Sequence, residues 1–453
     1  MAENSTEQLK KVLKPVHLWA IAVGLVISGE YFGWNLGWAV SGTIGLLIAT
    51  LVITLMYITF IFSYTELTTS IPHAGGAFAY AYRAMGPFGG LIAGYATLVD
   101  FLVATPAVAV SLGSYLHFLY PGIPVTEAAV GFVALFIMLN MFGVKESATF
   151  SVFITILAVI ELLLYLGIVS PHFKTANYLA DPMPFGWSGV FAALPYAVWF
   201  YLAIEGVAMV AEEVENPKRN IPRGYISAII TLVVLALGVM VITGGLTDWH
   251  KLSHLDYPLP EAIGIVLGKG NGLTKVFASI GLFGLIASLH GIILASSRQV
   301  FAMARSGYLP RALSNINHKF KTPHWALVVS GVVSCIFIYK FKTDQIIMLS
   351  VLGAVVMYIM SMLSIFILRK KEPRLNRPFT APLYPVFPAI ALIICVICLF
   401  ASVYFNPDMS LIFAGGLAIV LIVFVAMGKH KIALDEEMMN APTEEEVIES
   451  FGH

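Results

Sequence analysis

Apolar residues in this chain gather into long blocks parted by short polar connections, with neither the two-residue alternation of a half-buried strand nor the single stripe of a soluble helix. A run of about twenty apolar residues spans a bilayer as a helix. The blocks therefore predict twelve transmembrane helices, at 16–40, 42–64, 88–117, 124–143, 151–170, 188–212, 223–245, 274–303, 324–340, 344–368, 383–405 and 409–428. Only helices and closed barrels satisfy every backbone polar group in lipid, and blocks of this length exclude strands. The predicted fold class is an all-helical membrane protein.

Two blocks are interrupted. Ser28-Gly29-Glu30 is expected to break the first, and Pro195 followed by Trp199-Phe200-Tyr201-Leu202-Ala203 the sixth, just before Glu205. Unwound backbone at mid-membrane is tolerated where it lines a cavity, and breaks at matching positions of two halves mark a transporter's central site. Spans one to five (16–170) and six to ten (188–368) then read as a five-plus-five inverted repeat, followed by spans eleven and twelve (383–428). Gly or Pro in one membrane helix often means only a kink or close packing. Two breaks five spans apart, each beside an acid, argue for a site.

Charge sets the orientation. Of the 26 Lys and Arg residues, six (Lys174, Lys251, Lys269, Lys275, Lys340 and Lys342) fall on one side. The other twenty, among them Lys10, Lys11, Lys14, Arg83, Lys145, Lys321, Arg369, Lys429 and Lys431, fall on the opposite side. Loops retained in the cytoplasm carry the excess of Lys and Arg, so both termini are expected there, in an inner or plasma membrane. Residues 1–15 form the cytoplasmic N-terminus. The tail 429–453, acidic and short of core-forming residues, reads as disordered. No cleavable signal peptide is seen, because the first apolar run is too long and lacks a small-residue cleavage site.

Composition agrees: 58% hydrophobic and 11% charged residues are far from a soluble domain. Cys335, Cys395 and Cys398 lie within apolar spans, where packing outweighs a redox or metal role. No His-x-x-x-His, Gly-x-Ser-x-Gly elbow or phosphate-binding Gly-rich loop with Lys occurs in a supporting context. An enzyme is disfavoured, and neither a cofactor nor a nucleic-acid partner is expected. The glycines at 24, 29, 33 and 37 sit at packing spacing.

The chemistry rests on Glu30 and Glu205, since a carboxylate at membrane depth is costly unless it faces a partner, a cavity or a ligand. They read as two acidic walls of a cation site. For Glu205 the competing reading is a structural carboxylate capping freed N–H groups. Aromatic faces attract ammonium groups, so Tyr31, Trp34, Trp199, Phe200 and Tyr201 are candidates for a cage, although each alone is as well explained by packing.

The segments FSYTELTTSIPHAGGAFAYAYRAMGPFGG (62–90), AIEGVAMVAEEVENPKRNIPRG (203–224) and SSRQVFAMARSGYLPRALSNINHKFKTPHWAL (296–327) resemble, in order, three connections of the amino acid-polyamine-organocation transporters. ISGEYFGWN (27–35), YLAIEGVAM (201–209) and SLHGIILASSRQ (288–299) are most similar to the ethanolamine permeases within that superfamily. The resemblance implies alternating access, with substrate held between the first and sixth spans.

By that alignment Ser28 and Gly29 occupy the first two positions of the superfamily's Gly-x-Gly, whose amides receive a substrate carboxylate, and Glu30 replaces the last glycine. A carboxylate there repels another at close range, so the expected cargo is a cation without an acid group, such as ethanolamine. Trp199 matches a ring that packs over substrate, and Asp100 a position that is often acidic. His290 is a candidate for the substrate hydroxyl or for titration near neutral pH, with a helix–helix hydrogen bond as the rival account. Glu161 falls where proton-coupled relatives carry a titratable group, and the rival account makes it a fixed partner of a backbone break. Ser296 and Ser297 are weak candidates for a sodium site, so H+ and Na+ both stay open.

Pro217 and Pro222 are expected to end a helix. Arg219 and Arg223, near Glu212, Glu213 and Glu215, are candidates for a cytoplasmic gate or for plain interfacial anchoring. Two alternatives stand beside the ethanolamine reading: a permease for an amino acid or another small amine, and a channel or membrane-embedded sensor.

Overall fold

The computed structural model describes residues 12–142, 148–317, 319–320 and 322–428. Lys10, Lys11, Lys145, Lys321, the side chain of Glu212 and the acidic tail with Lys429 and Lys431 lie outside these. The described residues fold into helices α1 (Pro15–Val26), α2 (Ser28–Tyr31), α3 (Trp38–Ser70), α4 (Ala77–Leu119), α5 (Val125–Met141), α6 (Ala148–Val169), α7 (Thr175–Tyr178) and α8 (Gly186–Trp199). There follow α9 (Pro217–Gly244), α10 (Pro258–Leu267), α11 (Gly272–Arg305), α12 (His324–Lys340), α13 (Thr343–Lys371), α14 (Val386–Phe405) and α15 (Pro407–Ala426). Among the described residues nine helical stretches are long and apolar enough to cross a membrane, and α1, α5 and α12 are shorter apolar helices. This is an all-helical, multi-pass membrane protein.

The first predicted span is split, which is why α1 is short. Its break falls one turn later than Ser28-Gly29-Glu30, which are helical within α2. Helical geometry is lost at Phe32, which is extended, and at Gly33, with φ 91°. Residues Trp34–Gly37 then form a 3-10 turn leading to α3. The cause is close approach: a Cβ on Gly33 would lie 2.5 Å from Nε1 of Trp199, and one on Gly29 2.4 Å from the Trp199 carbonyl oxygen. Gly29 lets the first span touch the end of α8 backbone to backbone, and Gly33 makes room for the Trp199 indole. The stripe continues, since Gly24 meets Thr155 of α6 and Gly37 meets Leu46 and Tyr196.

The sixth span breaks where expected. Helix α8 passes through Pro195 and stops at Trp199, Ala203 takes a left-handed φ of 78°, and a 3-10 segment runs from Ile204 to Glu213. Pro217 starts a helix instead of ending one: it is the first residue of α9, and Pro222 lies within it. Proline is tolerated at the first helical turn, where an N–H has no intrahelical partner. The same rule explains α10, opened by Pro258 and Pro260 in a connection read from sequence as loop.

The two faces of the bundle are closed differently. On the N-terminal face Val12 and Leu13 donate to the Glu213 carbonyl at 3.0 Å each, and Glu215 donates to Leu13 at 2.9 Å. Arg298 of α11 pairs with Glu213 at 3.3 Å. Arg219 and Arg223 are exposed, and among the described residues Glu213 pairs across helices with Arg298. On the opposite face Asn35 donates to the carbonyls of Leu252 (2.7 Å) and Leu255 (2.9 Å), holding the approach to α10 over the end of the first span.

Candidate functional site

The two breaks are stitched together. Trp199 donates its indole N–H to the Phe32 carbonyl at 3.0 Å, and Trp34 donates to the Glu30 carbonyl at 3.1 Å. Phe200 stacks on Trp34 (centroids 5.6 Å, 17°), while Trp199 meets Phe32 edge-on. Tyr201 shares a 2.7 Å hydrogen bond with Thr54 of α3. The indole N–H groups of Trp199 and Trp34 are thus used on backbone carbonyls.

Four carboxyls are buried in this region: Glu30, Asp100, Glu161 and Glu205, none more than 2% exposed. Glu30 has no hydrogen-bond partner on either carboxylate oxygen. Glu161 receives the Tyr31 hydroxyl at 2.6 Å on one oxygen, and its other oxygen has no partner. Tyr31 itself belongs to the first break, and its carbonyl accepts from Tyr115 at 3.2 Å. Glu205 receives Tyr358 at 3.0 Å, and Asp100 receives Ser350 at 3.2 Å, both donors lying on α13.

Among the described residues the ion pairs lie elsewhere: Arg83 with Glu372, Arg369 and Arg377 with Glu66, Arg298 with Glu213, Lys269 with Glu261, and His250 with Asp248. None reaches the four carboxyls. An isolated ionised carboxylate in such surroundings is strongly disfavoured.

Several candidates are not brought here. His290 pairs with Asn140 of α5 at 3.0 Å and packs on Phe136, the helix–helix bond foreseen as its rival role. The residue of that helix that reaches the first break is Ser288, which bonds the Ser28 hydroxyl and the Leu25 carbonyl, each at 2.7 Å. Ser296 bonds Ile293 and Ser330, and Ser297 bonds Leu294, so neither hydroxyl faces the break. Cys395 and Cys398 are buried free thiols and Cys335 is half-buried. Thr54, Tyr57, Ser288, Ser350 and Tyr358 were not singled out from sequence. Each is a polar residue inside an apolar helix, and that was the available signal.

A bundle with two broken helices packed break to break, with buried acids that join no ion pair among the described residues, has the architecture of a solute carrier. The profile of the amino acid permease family matches residues 13–427, and the chain belongs to that family, within the amino acid-polyamine-organocation transporters. It is a permease and not an enzyme. It is 30% identical to an uncharacterized transporter of Rhizobium meliloti over 84% of both chains. It is 26% identical to the branched-chain amino acid permease BcaP of Bacillus subtilis, over 86% of this chain and 87% of the relative. The methylthioribose transporter of the same organism is also 26% identical, over 86% and 88%.

Proposed function

We propose that this permease moves a small organic cation without a carboxylate, of which ethanolamine is the simplest fit, by alternating access around the paired breaks. The observation that carries the reading is Glu30: fully buried, in the short helix just before the first break, with both oxygens unpartnered. An ammonium supplies the missing charge and the missing donors together. The faces of Trp34 and Phe200 and the ring of Tyr201 shield it, an arrangement worth roughly 0.5–2 kcal/mol per cation–ring contact. Ser28 and its partner Ser288 offer hydroxyls to the guest's own hydroxyl.

In this reading the N-terminal face is cytoplasmic, in an inner or plasma membrane, and the halves 16–170 and 188–368 rock as inverted repeats. The charge bias of the loops and the matching position of the two breaks support it. The closed seams at Leu13–Val214 and at Asn35 fit an occluded state.

A second reading, an amino acid as cargo, is favoured by the names of relatives such as the branched-chain permease. Uptake of radiolabelled ethanolamine into proteoliposomes, competed by amines and by zwitterions, separates the two. Amines should compete and zwitterions should not. Glu30→Gln should weaken amine binding by about 2–5 kcal/mol, roughly thirtyfold or more. Full uptake by Glu30→Gln, or a zwitterion as the strongest competitor, overturns the cation reading.

A further inference from the structure

We infer that Asp100 and Glu205 hold one proton between them and that this shared proton, not one on Glu161, is the one moved in the transport cycle. The inference rests on the transporter reading above but not on the identity of the cargo.

Both acids are buried, and each takes a hydroxyl from α13. Asp100, on α4, and Glu205, at the sixth-span break, lie within hydrogen-bonding reach of one another. Ser350 occupies Oδ1 of Asp100 and Tyr358 occupies Oε2 of Glu205. The atoms left over, Oδ2 and Oε1, are buried and have no donor. Two ionised carboxylates offer only lone pairs, so this contact becomes a hydrogen bond only when one carboxyl carries a proton. With both ionised, like charges would sit together out of water, the case in which a pair of carboxyls keeps one proton.

The other groups facing the pair are hydroxyls. They are Tyr57 and Tyr64 of α3, Tyr225 of α9, whose hydroxyl reaches the Glu205 carbonyl at 3.4 Å, and Ser350 and Tyr358 of α13. Tyr358 shares a further 2.9 Å hydrogen bond with Tyr57. Among the described residues no ion pair involves either acid, so there is no fixed positive charge to take the place of the proton. Glu161 differs: the Tyr31 hydroxyl at 2.6 Å serves its ionised form.

The step is a simple proton transfer. One carboxyl O–H breaks, the proton leaves to water once the site opens to one face, and both carboxyls are then ionised. Return to the occluded state requires one proton to be taken up again from the other face. Because Glu205 sits at the sixth-span break while Asp100 lies on α4, past its kink at Gly86, losing the proton turns an attraction between two separate elements into a repulsion. Proton exchange and opening are thereby linked.

The test measures protons moved per substrate, with a pH-sensitive dye sealed inside proteoliposomes and labelled substrate outside. Wild type, Asp100→Asn, Glu205→Gln, the double variant and Glu161→Gln are compared, each first shown monodisperse by size-exclusion chromatography. The expected result is a measurable ratio in wild type and in Glu161→Gln. The ratio is lost in both single variants and is no lower in the double one, because either change removes the same shared proton. A wild type that transports without proton movement overturns the inference, as does an unchanged ratio in both single variants or a loss confined to Glu161→Gln. If ethanolamine is not transported, the same ratio is read with whichever amino acid is. The cation reading would then fail while the shared proton is still tested.

Discussion

The indole N–H of Trp199 and the carbonyl of Phe32 meet at 3.0 Å, so the last residue of α8 closes the backbone gap where the first span unwinds. A buried carbonyl with no donor costs about 1–3 kcal/mol, which here would fall on the contact joining the two broken helices. Trp199→Phe keeps an aromatic ring and removes only the donor. It should lower thermal stability in detergent by that amount. It should also slow uptake, because the two breaks no longer move as one body. A melting temperature equal to wild type would show the bond to be dispensable.

Gly33 makes the same junction from the other side. Its φ of 91° is open to glycine and strained for alanine, and the added Cβ would sit 2.5 Å from Nε1 of Trp199 and 2.9 Å from Ile347. Strain of about 1–2 kcal/mol from the backbone alone adds to the displacement of Trp199. Gly33→Ala is expected to abolish uptake, whereas Gly131→Ala, where an added Cβ meets nothing within 4 Å, should leave it intact. Equal uptake by both variants would remove the close approach from the mechanism.

How much of this was readable beforehand follows from the range of the interactions. Long apolar blocks located α6 and α11 to α15 within a few residues, because span length is a local property of composition, whereas α3, α4 and α9 run past their predicted ends into polar sequence. The first break was misplaced by a turn because Ser28-Gly29 is the more conspicuous breaker, yet the backbone bends where Gly33 must clear Trp199, a residue 166 positions away. His290 was preferred to Ser288 because sequence does not fix the rotation of a helix. Two residues along an α-helix lie on nearly opposite sides, and Ser288 is the one turned to Ser28. Glu205 was legible as an acid beside a break. Its hydrogen bond from Tyr358 was not, since that partner comes from a helix far off in the chain.

Arg298 and Glu213 meet at 3.3 Å on the N-terminal face, both about a third exposed or less. A pair so placed contributes roughly 0–1 kcal/mol to stability, so its removal should be invisible in a melting curve. Its location is more telling: it ties α11 to the segment after the sixth-span break, beside the seam with Leu13. Arg298→Ala should raise the labelling rate of a cysteine placed at Gln299, a buried position one residue along, by reagent applied from that face. Charge reversal at Glu213 should act in the same direction. Unchanged labelling and unchanged transport kinetics in both variants would reduce the pair to surface decoration.

Asp256 gives the opposite face a pH dependence whose sign is fixed by its surroundings. Burial pushes its carboxyl from the usual 3.8 up to about 6, despite a hydroxyl donated by Thr343 at 3.1 Å. Its backbone carbonyl accepts from Ser111 at 2.9 Å, so the residue docks the segment before α10 onto both α4 and α13. An acid that holds its proton more tightly when folded favours the folded state most at low pH. That contribution is complete below about pH 4 and is lost as pH rises through about 6. The melting temperature of the wild type should therefore decline between pH 5 and pH 8, taken as roughly one unit below and two above the shifted value. Asp256→Asn, uncharged throughout, should flatten that part of the profile and be the more stable form at its alkaline end. A profile with the same slope in both proteins would place the pH-sensitive group elsewhere and leave Asp256 as a solvated loop residue.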